Sequence, residues 1–372
     1  MRLLTIILLI ALIPALPAQD KNADAAVTSA RAKYDARDFE SAGKALSAVL
    51  KSNPRNKEAL LLRGKVRIEL DDQYGAIADL TQVIELDSTT AEAYNQRGAA
   101  KMNLGDDAGA IDDFGRAIRH NPKYADAYTN RGFARFNLDL LEEAYFDFAK
   151  ALEIGPPSAD RYYNSGVAKA ALGEFVSAIN DYNKAIELDP KDPDLYNFRG
   201  IAYDQLSNFN LAISDYTEAI KIDPKNPDYH ENRALARTSV NDLRGALEDY
   251  NKTLELSPDD PTTLNLRGVV RYNLLDYDGS IADYTRAIEL DEENPTYYDN
   301  RALSRIQKKD LTGALEDYSA SIDLYPNDPE SYIDRGNLRL QMGQKSEACT
   351  DFRRADELGA GMAKSLLRKH CK

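Results

Sequence analysis

The sequence has only three histidines and two cysteines in 372 residues. His120, His230 and His370 are far apart, and none stands at metal-ligand spacing from another histidine or cysteine. No phosphate-binding glycine loop, nucleophile elbow or dinucleotide fingerprint is present. These gaps argue against an enzyme, a bound cofactor and a metal site. An excess of basic charge is also missing: 47 Lys and Arg face 61 Asp and Glu, for a net charge of −14. That balance argues against general binding to nucleic acid or an anionic membrane, while leaving room for a local basic patch. Long apolar runs are absent everywhere except the N-terminus.

That N-terminus reads MRLLTIILLIALIPALPAQD. Arg2 precedes an apolar stretch over 3–13 that is too short to span a bilayer comfortably. Leu16-Pro17-Ala18 offers a small residue for cleavage before Gln19. Residues 1–18 read as a signal peptide removed in the mature protein, with 19–22 as a short leader. An uncleaved anchor is the alternative. No cysteine follows the apolar stretch, which argues against a lipoprotein anchor. Export to a Gram-negative periplasm or beyond would let Cys349 and Cys371 oxidise.

What the chain does have is a folded composition, 43% apolar and 29% charged, at a length that calls for domains or a repeat array. From residue 23 it repeats every 34 residues without insertion or deletion, in units starting at 23, 57, 91, 125, 159, 193, 227, 261, 295 and 329. Position 8 of the unit is Gly or Ala throughout, from Ala30 to Gly336. Position 20 is Ala in every unit except the eighth, which has Ser280, and position 27 is also small. Small residues at these places let two helices approach closely. Each unit reads as helix, short turn, helix, with breakers such as Gly105-Asp106, Gly173-Glu174 and Ser207-Asn208 in the turns. Pro193, Pro227, Pro261, Pro295 and Pro329 each follow an Asp or Asn, the N-cap and N1 pattern of a helix start. Recurrent tyrosine at positions 4 and 24, as in Tyr128 and Tyr182, reads as helix packing.

Runs such as EFVSAINDYNKAIELDPKDP (174–193) and NFNLAISDYTEAIKIDPKNP (208–227) resemble the tetratricopeptide repeat family. The resemblance covers 23 to about 360, nearly all of the mature chain. It implies an all-α fold: antiparallel helix pairs in a right-handed superhelical solenoid with a concave groove, here of ten units over 23–360. The array needs a cap, and 361–372 reads as a C-terminal helix with Ala363, Leu366, Leu367 and Cys371 on one stripe. A Cys349–Cys371 disulfide would clip that helix to the tenth unit; two free buried thiols are the alternative.

Two stripes of the first helix carry the functional question. Positions 4, 7 and 11 should face the second helix. Position 7 is Arg63, Arg97, Arg131, Arg199, Arg233, Arg267, Arg301 and Arg335, broken after the first unit only by Ser165. Position 23, on the second helix, is Asp79, Asp113, Asp147, Asp181, Asp215, Asp249, Asp283, Asp317 and Asp351. The first unit has Ser29 and Ala45 there and lacks both members together. This joint occurrence predicts a structural Arg–Asp ladder, within or between units, since an unpaired buried charge is costly. A stripe that grips polyanions is the competing reading.

Positions 2, 6, 9 and 13 form the other stripe, which in the family tends to line the groove. Position 2 is acidic in most units, as expected of a helix's first turn. Position 6 offers Gln96, Asn130, Asn164, Asn232 and Asn300, and position 13 includes Asn103, Asn137, Gln205 and Asn273. Between them lie Phe133, Val167 and Ile201 at position 9. Asparagine is mediocre within helices, and its amide can both donate to and accept from a peptide backbone. These residues are the candidate site for an extended polypeptide; amides that are solvated or cap loops are the alternative. The sequence thus reads as an exported scaffold or adaptor for a protein or peptide partner in the cell envelope. An accessory subunit of a polysaccharide-export machine, binding glycan or a catalytic subunit, is the second reading.

Overall fold

A computed structural model describes residues 21–372. The signal-peptide reading lies outside the described residues, as do positions 19–20 of the leader. Among the described residues every regular element is an α-helix. The chain divides into two compact parts, one up to Pro157 and one over Ser158–Lys372.

The first part holds four helix pairs: α1 (Lys21–Asp35) with α2 (Phe39–Ser52), α3 (Lys57–Glu69) with α4 (Gln73–Leu86), α5 (Ala91–Asn103) with α6 (Asp107–His120), and α7 (Ala125–Asn137) with α8 (Leu141–Ile154). The second holds six: α9 (Ala159–Ala171) and α10 (Phe175–Leu188), α11 (Pro193–Gln205) and α12 (Phe209–Ile222), α13 (Pro227–Ser239) and α14 (Leu243–Leu256), α15 (Pro261–Asn273) and α16 (Tyr277–Leu290), α17 (Pro295–Gln307) and α18 (Leu311–Leu324), α19 (Pro329–Gln341) and α20 (Lys345–Glu357). A last helix, α21 (Gly361–His370), follows. The fold is an all-α solenoid of helix pairs. We call the first helix of each pair A and the second B. No described helix is long and apolar enough to cross a membrane.

Local chemistry sets these boundaries. Asp192, Asn226, Asp260, Asn294 and Asp328 accept hydrogen bonds from backbone N–H groups in the first turn of A, and proline follows at N1. Asp38, Asp72, Asp106, Asp242, Asp276 and Asp310 cap the B helices in the same way. The turn between A and B always passes through the left-handed region at position 15. Glycine supplies it at 105, 173 and 343, but Arg37, Asp71, Asp139, Ser207, Asn241, Leu275 and Lys309 adopt φ values of 57–65° there. The sequence marks only some of these turns with glycine, so a non-glycine residue carries the strain in the rest.

The core is a run of small clusters between neighbouring helices. At position 8 the backbone of A meets the ring or branch at position 24 of B: a Cβ on Gly268 would come within 2.6 Å of the Tyr284 ring. The rings of Tyr182, Tyr216, Tyr250, Tyr284 and Tyr318 are fully buried in this way. The cap follows the same logic. Ala363 is buried against Ile322, Ile333 and Ala355, Leu366 packs beside it, and Cys349 and Cys371 form a disulfide with their Cα atoms 5.7 Å apart.

Candidate functional site

The two stripes of the A helix do different work. On the side facing B, each position-7 arginine grips the position-23 aspartate of its own repeat in a two-pronged pair. Arg233 Nε and Nη2 lie 2.9 and 2.7 Å from the two carboxylate oxygens of Asp249. The same fork joins Arg63 to Asp79, Arg97 to Asp113, Arg131 to Asp147, Arg199 to Asp215, Arg267 to Asp283 and Arg335 to Asp351. Arg301 holds Asp317 similarly. The open question of register is answered within the repeat. Nη1 turns the other way, to a side chain of the preceding repeat: Thr81 for Arg97, Thr217 for Arg233, Thr285 for Arg301. Arg131 meets Gly115 at that place and has no side chain to take its third bond.

A second cation at position 11 completes most clamps. Arg135, Arg237, Arg305 and Arg339 reach their aspartates at 2.6–2.8 Å, and Lys169 reaches Asp181 at 2.6 Å. Where Ser165 replaces arginine, its hydroxyl donates to Asp181 at 2.7 Å. Tyr203 replaces the cation in the sixth repeat, so Asp215 has Arg199 alone. The carboxyl chemistry follows. Burial raises the Asp215 pKa and Arg199 offsets only part of that. Burial acts on Asp249 too, but His230, Arg233 and Arg237 outweigh it and hold the carboxyl below its usual range. Position-4 tyrosines stack on the guanidiniums, as Tyr128 does on Arg131 at 5.5 Å. Nε and Nη2 of every position-7 arginine are turned onto an aspartate of the protein, which leaves this stripe poorly placed to grip a polyanion.

On the other stripe, the amides differ from the expectation of free ligand-binding groups. Asn130, Asn232 and Asn300 each donate to an asparagine at position 5 of the preceding repeat: Asn95, Asn197 and Asn265, at 3.1, 3.0 and 2.9 Å. At position 13, Asn103 donates to Gln73 and Asn137 to Asp107. Asn164 is buried. One such bond uses one of an amide's four hydrogen-bonding positions, so at position 6 these residues join neighbouring A helices, at position 13 they join A to the preceding B helix, and they keep capacity for more. Position 5 was missed because its partner lies 35 residues away, which no local pattern marks.

Between the amides the surface is apolar and open. Phe133, Leu235 and Leu303 are each about two-fifths exposed. Ile201, Val167 and Val269 are half-buried beside them. Gln96 is also half-buried, while Gln205 and Asn273 are exposed. In residues 158–372 this face carries Asp160, Asp194, Asp204, Asp228, Glu231, Asp299, Glu330 and Asp334 at positions 2, 5, 6 and 12, and no lysine or arginine at positions 2, 5, 6, 9, 12 or 13. Burial raises Asp204 and Glu231, and pushes Asp299 from 3.8 up to about 6. The first repeats are different: Arg31 at position 9 pairs with Glu58 at 3.1 Å, and Lys65 with Glu92 at 2.9 Å.

Helix pairs of fixed length, stacked through small residues at positions 8, 20 and 27, are the tetratricopeptide signature, and the family models agree. Tetratricopeptide repeat models match residues 27–91, 231–295 and 265–329, 91–124, 125–156 and 329–358, and 193–226, and a TPR repeat model matches 168–207. The chain belongs to the tetratricopeptide repeat family. No curated protein matches the sequence. Among solved structures, the C-terminal part of a TPR repeat-containing protein from Cytophaga hutchinsonii is similar at 18% identity and a TM-score of 0.54, over 63% of this chain and 96% of that one. A tetratricopeptide repeat protein from Parabacteroides merdae matches at 18% identity and a TM-score of 0.50, over 67% and 98%. YrrB, described as a TPR protein with an unusual peptide-binding site, is 22% identical with a TM-score of 0.45, over 50% and 97%. At these identities the likeness concerns the fold. Tetratricopeptide arrays are typically protein-binding scaffolds, and this chain has that architecture.

Proposed function

We propose that the protein is an exported scaffold that binds an extended polypeptide along the A-helix face. The observation that carries the reading is the contrast between the two stripes. The arginine stripe is paired two-pronged with its own aspartates, whereas the opposite stripe leaves Leu235, Leu303 and Phe133 exposed between amides with spare hydrogen-bonding capacity. A row of apolar side chains flanked by donors and acceptors suits a backbone lying across successive repeats, with side chains alternating into and out of the face. Export is supported by the N-terminal sequence and by a disulfide, a bond that persists in oxidising compartments. A Gram-negative periplasm or the cell exterior is the proposed location.

Site-specific photocrosslinking in intact cells tests the binding reading. A photoreactive residue at Leu235 is expected to capture a polypeptide, while one at the exposed Glu255 on a B helix captures none. Equal capture from both places, or none from Leu235, would refute the assignment of the face. N-terminal sequencing of the mature protein tests export, with Gln19 as the expected first residue.

A further inference from the structure

We propose that the A-helix face of residues 158–372 takes a basic polypeptide, one carrying lysine or arginine at about every third residue. This rests on the reading of that face as a polypeptide site and adds the charge and spacing of the partner.

The first observation is one-sidedness. The cations at positions 7 and 11 of the A helices in this region are placed against B, where Asp215, Asp249 and the other clamp aspartates hold them, and others, such as Lys221, Lys252 and Arg286, pair with acids off the face. The opposite face keeps carboxylates such as Asp194, Asp228, Glu231 and Asp299 with no lysine or arginine beside them in the stripe. The second observation comes from atoms. Asp204 and Asp299 are half-buried with one enclosed oxygen each that has no partner, the first held by Tyr216 of its own B helix at 2.7 Å and the second beside Ser321, and neither has a cation near it. A half-buried carboxylate without a cation is costly, and a cation lying over the face lowers that cost by its charge, without touching the enclosed oxygen. Burial accordingly raises both carboxyls, with no cation among the causes.

The third observation is an internal precedent. In the first repeats the protein supplies the cation itself: Arg31 and Lys65, from position 9, reach the position-2 acids Glu58 and Glu92 of the following repeat. In the later repeats position 9 is apolar, as at Ile201 and Leu235, and the position-2 acids remain. A ligand lysine would take the place of Arg31 or Lys65. Spacing fits an extended chain. Packed neighbouring helices lie roughly 8–10 Å apart, and an extended chain advances about 3.3 Å per residue. Every third residue therefore meets the next repeat. A metal ion fits less well, because among the described residues no three acidic, histidine or cysteine side chains converge on one point.

The test uses the mature full-length protein and three fluorescent peptides of about 13 residues, long enough for about four repeats. One carries lysine at every third position among serine and alanine; the others carry glutamine or glutamate there. Fluorescence anisotropy should show the lysine peptide binding at least about tenfold tighter than the glutamine peptide, and the glutamate peptide weakest. The variant Asp204→Asn, Glu231→Gln, Asp299→Asn should remove about that tenfold preference and leave the glutamine peptide unchanged. These changes are isosteric and remove buried charge, so the fold should survive; circular dichroism checks it. Equal binding of lysine and glutamine peptides would overturn the charge assignment and leave the polypeptide-site reading standing. Equal lysine preference in the variant would also overturn it. Failure of all three peptides to bind would overturn both.

Discussion

The first helix pair and the seventh close the same gap with different chemistry. Between α1 and α2, position 7 is Ser29 and position 23 is Ala45, and the pair is held by Val27, Leu46, Val49 and Leu50 in an aliphatic cluster that continues into Leu60, Leu62 and Leu80. Between α13 and α14, Arg233 and Asp249 form a buried clamp beside the Tyr250 ring, with Arg237 as second cation. Both are pairs of helices in the same 34-residue register. The clamp therefore substitutes for apolar packing and is not required by the helix pair as such. An aspartate at position 23 then needs a partner on the A helix, arginine in eight repeats and Ser165 with Lys169 in the fifth, because alone it would leave a charge unpaired in an interface.

The largest expected effect comes from breaking one clamp on one side. Asp249→Ala takes the carboxylate from Arg233, which keeps only Thr217, while Arg237 retains the Gly245 carbonyl and Asp242, and it should cost about 3–5 kcal/mol in urea unfolding. Converting the seventh pair toward the first is the sharper version. Arg233→Met with Asp249→Leu should recover most of that loss, ending within about 1 kcal/mol of the parent. If the double variant is as unstable as the single, the two regions are not alternative solutions.

The sixth and seventh repeats refine the contrast. Asp249 titrates below its usual range, so the stability it contributes is present above the ordinary carboxylate pKa and is lost as pH falls through the lower folded value. Asp215, with one cation, titrates above its usual range, so it opposes folding increasingly as pH rises from the unfolded value through the folded one. At pH 7, Asp215→Asn should therefore cost less than Asp249→Asn, as read by thermal melts. On the opposite face, Asp299→Asn should stabilise the protein by about 1–2 kcal/mol at pH 7, a figure already reduced for partial solvation. Its folded pKa of about 6 exceeds the ordinary 3.8, so the gain should grow between those values and vanish below them.

The smallest effect concerns a hollow of about 500 Å³ between α2 and α3, lined by Gly43, Val66 and Leu70 with Lys44, Arg63 and Arg67 at its edge. Every other repeat has Ile, Leu, Tyr or Cys where Gly43 stands. A Cβ on Gly43 would meet Val66 Cγ1 at 3.3 Å, which a small shift relieves. Gly43→Ala should add about 0.5–1 kcal/mol by helix propensity. A loss would mean that the hollow is needed open.

Much of the fold was legible because the repeat displays each rule many times, the helix-starting proline five times, the Arg with Asp eight times and the small residue at position 8 ten times. The Asp-Pro and Asn-Pro starts, the small residues at position 8 and the Arg with Asp at positions 7 and 23 all point to the helix pairs and the clamp. The left-handed turn at position 15 was hidden, since Arg37, Leu275 and Lys309 bear no mark of the conformation they adopt. The amides were visible but their use was not. Asn232 looks unoccupied along the chain because Asn197 is 35 residues earlier, and only stacking of the repeats brings the two within 3.0 Å. The unpaired carboxyl oxygens of Asp204 and Asp299 were hidden for the same reason: burial is a property of the stack, not of the helix.

The A helices divide their labour, with one stripe holding the fold and the other proposed to bind a polypeptide. Methyl-labelled Ile, Leu and Val in the full-length protein, titrated with the lysine peptide, tests it most directly. The predicted result is shifts at Ile201, Leu235, Val269 and Leu303, with Leu254 and the Nε signals of Arg233 and Arg301 unmoved. Shifts centred on the clamp arginines and the B helices, with Leu235 and Leu303 silent, would contradict it.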